Sequence, residues 1–205
     1  MDAYPLALFL HIAAAIVLIG GSILASPAIR AAVLRAETLK ELRTWLAAGR
    51  PLATIDPLAS FTLLGSGLYL TSAGGWWNAA WVQFAIVLWV VNLITATRVV
   101  GPAMQRLAVT AATSSDGPVD TTVDRLRRTR RWSGGHHVLL ANDVGVLYLM
   151  TAKPGYLGGA VAIAAAHVLL ALVPRLHRNV LHRPVEPSGT TSTSFLPTDR
   201  ERTRA

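Results

Sequence analysis

The chain has 205 residues, 52% of them apolar and 15% charged, with no cysteine and a formal net charge of +8. Disordered chains hold far fewer apolar residues, and disulfide scaffolds, cysteine-ligated zinc sites and iron-sulfur proteins need thiols. Soluble domains carry roughly 25% charged residues, so this composition has too little polar surface for water and suits a lipid solvent.

A bilayer core takes roughly 20 apolar residues at 1.5 Å each. Met1 to Pro5 holds Asp2 and no Lys or Arg, unlike the basic start of a cleaved signal peptide. Leu6 to Ala25 is therefore predicted to be a retained first membrane helix, with His11 inside it. Ile29 to Leu46 mixes Val33, Leu34, Leu42, Trp45 and Leu46 with charges, as an interfacial helix or a continuation of the first span does. Pro51 to Leu70 is a second span with Asp56 near its start, and Ala79 to Thr97 a third. Trp76, Trp77 and Trp81 cluster at the outer end of the third, where indoles favour the interface.

Thr113 to Pro118 reads as a loop, and Asp120 to Trp132 as a second interfacial stretch, more basic than the first. Val138 to Thr151 is a short fourth span carrying Asn142 and Asp143. Lys153-Pro154-Gly155 signals a turn, and Tyr156 to Pro174 is a fifth span with His167. The expected organisation is a helical bundle over residues 1–183 and a disordered cytoplasmic tail over 184–205. No internal sequence repeat of useful length is apparent.

The basic residues support this count independently. With five helices, every Lys and Arg except Lys153 falls on one side, and such residues are retained in the cytoplasm. The expectation is an all-α, five-helix polytopic bundle in a bacterial cytoplasmic membrane, amino terminus outside and carboxyl terminus inside. Its expected partners are the bilayer, with anionic lipid at the cytoplasmic face, and a membrane protein or a second copy. Retention explains the arginines without nucleic acid.

Ionisable groups at membrane depth cost about 2.5–3.5 kcal/mol on insertion scales, which makes each one a candidate. Depth divides them into two groups. In the inner half, Asp56 and Asp143 lie near Asn92, Asn142, Arg98, His136 and His137. Asp56, Ser60 and Gly67 share one helical face, and His136, Asp143 and Met150 another. Such carboxylates relay protons or hold a cation; alternatively Arg98 pairs with Asp143 or Asp56 to fix helix register, and Asp56, before Pro57, simply caps its helix.

The second group is His11, in the outer half, and His167, near the middle. Each stands on a face of small residues: Ala15 and Ser22 beside His11, and Ala160, Ala164 and Ala171 beside His167. Two such imidazoles facing each other ligate haem iron or copper, whereas a lone one more commonly bonds a neighbouring helix. Copper fits less well without Cys and with few Met, and no dedicated metal site is assigned. No phosphate loop, zinc-protease motif or nucleophile elbow occurs, which argues against kinases and hydrolases.

The runs Leu8-Phe9-Leu10-His11-Ile12, Ile19-Gly20-Gly21 and Leu149-Met150-Thr151-Ala152-Lys153-Pro154-Gly155 resemble an uncharacterised family of bacterial predicted integral membrane proteins. That family is distantly similar to copper-resistance protein D-like and membrane protoporphyrinogen oxidase-like proteins. The resemblance implies a membrane bundle and, through the oxidase, haem b ligated by His11; the Arg that the oxidase pattern places soon after this His is missing, since Arg30 comes too late. Three functions stay open: a haem protein using His11 and His167, a proton- or ion-coupled transporter using Asp143 and Asp56, and an accessory subunit.

Overall fold

A computed structural model describes residues 3–181, with side chains placed to residue 172. The described residues are helical, with no strand beyond an isolated bridge between Thr38 and Pro118. The tail expected from Pro184 lies outside them.

The first helix, α1 (Ala3–Gly20), does not end at Ala25. It passes through a π-helical turn (Gly21–Ala25) into α2 (Ser26–Arg35), forming one rod of 33 residues. Further along, α5 (Ala80–Thr95) passes through a second π turn (Ala96–Val100) into α6 (Gly101–Thr113), a rod of 34 residues. Both rods are long and apolar enough to cross a membrane. A proline, Pro27 or Pro102, stands two residues beyond the end of each π turn. Proline lacks an N–H and crowds the carbonyl four residues back, and the wider turn absorbs both defects. The Ser26 N–H accordingly bonds the Gly21 carbonyl, and the Gly101 N–H that of Ala96.

The return helices also run longer than their apolar cores. They are α4 (Arg50–Gly74), closed by left-handed Gly75, and α8 (Arg130–Ala152), closed by left-handed Lys153 ahead of Pro154. At 1.5 Å per residue they span about 37 and 35 Å. The last, α9 (Tyr156–Leu181), packs on α8 and α5, while α1 packs chiefly on α4. Outward faces are strongly apolar, with Leu24 72%, Leu58 71% and Leu157 81% exposed, as helices in lipid require.

The densest core lies at the basic end. Here α3 (Leu39–Ala48) and α7 (Thr121–Arg127) join α2, α6 and the start of α8 around Val33, Leu39, Leu42, Leu107, Ala111, Val123 and Trp132. Thr38 caps α3 by accepting from the Glu41 N–H, and Asp120 caps α7 by accepting from that of Val123. Arg127, buried, donates to the carbonyls of Val33 at 3.0 Å and Ala36 at 2.7 Å, so it satisfies the exposed end of α2. Arg43 donates to the Ala111 carbonyl at 2.7 Å and pairs with Asp116. The two stretches expected at the interface thus form a packed cap beneath the bundle, and the start of the first one continues the α1 rod, the other course expected for it.

Candidate functional site

Four of the five spanning helices send polar groups to one place. Asn142, 1% exposed on α8, donates its amide to Asn92 Oδ1 on α5 at 2.8 Å. Asn92 in turn donates to Asp143 Oδ1 at 2.9 Å. Ser22, on the first π turn, and Asp56, on α4, lie in the surroundings of the same carboxylate, within range of its charge. Asp56 Oδ1 lies 3.4 Å from the position a Cβ on Gly21 would take, so it rests against the bare backbone of that turn. It is buried with no hydrogen-bond partner among the described residues. A helix bearing a larger side chain at position 21 would hold α4 further off.

The expected ion pair from Arg98 to Asp143 or Asp56 is not formed. Arg98 is exposed, and the second π turn meets α8 through Val99 and Val100, which lie against Gly135. Of the expected neighbours, Asn92 bonds Asp143 and Asn142 bonds Asn92, while Arg98 does neither. Asn92 and Arg98 differ by six residues, about 240° around a helix, so one face cannot present both.

The histidines separate. His11 Nδ1 lies 3.1 Å from the Leu63 carbonyl and 3.3 Å from Ser66 Oγ, with its ring against Gly67. The Ser66 hydroxyl is already committed to the Thr62 carbonyl at 2.6 Å. The imidazole therefore donates to Leu63, which leaves Nε2 as its lone-pair atom; a haem iron at His11 would bind there, in the arrangement that ligating histidines share. His167 is turned elsewhere: its Nδ1 bonds the Ile163 carbonyl at 3.0 Å and its ring stands edge-on to His137, centroids 6.2 Å apart. His136 bonds the Trp132 carbonyl at 3.2 Å and stands edge-on to that indole.

Two contributors are not singled out by the sequence: Ser22 enters there as a small residue on the His11 face, and Arg30 as a residue too late for the oxidase pattern. Arg30 instead continues the first rod, bonding Ser133 Oγ at 2.7 Å and stacking over Trp132. At the opposite end Lys153 lies over both Trp76 and Trp81, 5.4 and 5.5 Å from their ring centres.

An all-helical bundle with apolar outer faces and a buried polar seam defines a polytopic integral membrane protein. Residues 5–154 match a family model described as predicted integral membrane protein (DUF2269), and the chain belongs to that family. No curated protein and no solved structure matches it. The family description assigns membrane residence and no activity, and carries nothing on copper resistance or protoporphyrinogen oxidation.

Proposed function

We propose that this protein is a proton-coupled membrane protein whose working groups are Asp56 and Asp143. One observation carries the reading: Asp143 is held by Asn92, itself fixed by Asn142, with Ser22 and a second carboxylate, Asp56, in its surroundings on two further elements, and no basic side chain is paired to either carboxylate among the described residues. Two carboxylates in one low-dielectric region cannot both carry charge cheaply, so a proton on one of them is the simplest occupant. A metal cation suits the site less well, because Asn92 turns an amide N–H, not its oxygen, to Asp143. In this reading the proton rests on the unpartnered Asp56 oxygen and passes to Asp143, whose other contacts keep it oriented.

The test is proton flux in liposomes carrying a pH-sensitive dye. Asp143→Asn and Asp56→Asn are each expected to abolish flux, and Arg98→Gln to leave it intact. Equal flux in all three variants would refute the proposal. A second reading, haem at His11, is favoured by the free Nε2 alone; it predicts a Soret absorption that His11→Ala removes.

A further inference from the structure

A second polar cluster, independent of the carboxylates, lies where the first rod meets the start of α8. The Arg30 guanidinium stacks on the Trp132 indole, 5.5 Å from its centre, and spends one nitrogen on Ser133 Oγ. Its Nε is buried and has no acceptor among the described residues. The Trp132 side chain, in a residue only 2% exposed, likewise has its indole N–H buried without an acceptor among them. These atoms can only donate, so the missing group is an acceptor. A buried donor left unpaired costs about 1–3 kcal/mol, and here two of them belong to one stacked pair.

The charge around the pair points the same way. The ion pairs among the described residues engage Arg43, Arg127 and Arg128 with Asp116 and Asp124; none includes Arg30. Arg35, Arg130 and Arg131 stand exposed on the neighbouring turns. Thr129, at the start of α8, makes no side-chain cap, which leaves the positive end of a 23-residue helix beside the cluster. Depth fits as well. Arg30 lies eight residues beyond Ser22 and Ser133 ten residues before Asp143, about 12–15 Å along each helix from the carboxylate network. From the inner half of a core roughly 30 Å thick, that distance reaches the headgroup level.

We infer that Arg30, Trp132 and Ser133 form a binding site for a phosphate group at the basic face of the bundle. Its two sources are an anionic phospholipid headgroup and a free phosphate ion. Arg30 supplies charge and an Nε–H, Trp132 a second N–H, and the stacked ring fixes the guanidinium plane.

The test uses the full chain in a neutral detergent, with native mass spectrometry against phosphatidylglycerol, phosphatidylcholine and inorganic phosphate. Retained phosphatidylglycerol, reduced about tenfold by Arg30→Gln, as loss of a charge-assisted bond implies, and severalfold by Trp132→Phe, supports a lipid headgroup. Displacement of that lipid by millimolar phosphate, with the same variant pattern, supports the free ion. Arg125→Gln, exposed on α7, is expected to change neither. If Arg30→Gln does not fold, Trp132→Phe carries the test, since phenylalanine preserves the ring in the core. Binding that ignores both substitutions, or that Arg125→Gln weakens equally, overturns the site, as does binding of neither probe.

Discussion

Asn92 joins the membrane-depth network at both ends: its oxygen accepts from Asn142 and its amide donates to Asp143. Asn92→Leu is expected to lower stability by about 1–3 kcal/mol, because it strands a buried donor and a carboxylate together. Thermal unfolding in detergent measures this. Adding Asn142→Leu is expected to recover part of the loss, since removing both partners costs less than removing one. Gly67 is the matching point on the other side of the bundle. Any Cβ there lies 3.0 Å from His11 Cε1, so Gly67→Val is expected to force α1 off α4 and cost about 1–3 kcal/mol by overpacking. The residues that carry polarity at depth were legible from composition alone. Asn92 and Asn142 were legible as neighbours of Asp143 as well, but the choice among candidates was not, because a helical face is defined only once the neighbouring helix is placed; Arg98 stands about 120° away from the face that Asn92 uses.

At the scale of elements, apolar length located the spans and then stopped too early. The third span was expected to end at Thr97, where Arg98 interrupts the apolar run, yet the helix continues to Thr113. A charge ends a membrane crossing without ending a helix, and the π turn carries the rod past its proline. The same effect hid the cap. Leu39, Leu42, Leu107, Ala111 and Val123 are scattered among charges on three elements, and a single amphipathic stretch reads equally well as lying on lipid. Arg127 locks this cap to the end of α2. Arg127→Met is expected to leave the Val33 and Ala36 carbonyls unbonded, destabilising the cap by about 2–3 kcal/mol, read as faster amide exchange in α3 and α7. Its other contact is sensitive to acid. Hydrogen bonds from Arg127, and then Arg128, hold the Asp124 carboxyl below its usual value of 3.8. A carboxyl lowered on folding contributes stability above the ordinary value and loses it as pH falls through the lowered one. Protection of α7 amides, relative to their intrinsic exchange at each pH, is expected to stay flat from neutral pH to about 5 and to fall below the usual value of 3.8 in the parent protein. In Asp124→Asn that acid-dependent step is expected to disappear.

Across the whole molecule, two units follow one another with the same parts: a rod with a π turn and proline, a short helix in the cap, and a return helix. No sequence repeat announces this, because each unit is defined by where it crosses lipid and where it breaks, and not by shared side chains. Both units run in the same direction, so their cap helices share the basic end and their other ends meet near Trp76, Trp81 and Lys153. The depth of Asp56, Asp143 and Arg30 follows from this arrangement, and retention of Lys and Arg inside sets its direction. Because the chain has no cysteine, the arrangement can be read by single replacements labelled with a membrane-impermeant maleimide in sealed right-side-out vesicles. Asn78→Cys, between the first return helix and the second rod, is expected to label at once. Ser115→Cys, in the loop above the cap core, is expected to label only after permeabilisation. Immediate labelling of both, or of Ser115→Cys alone, would contradict the account.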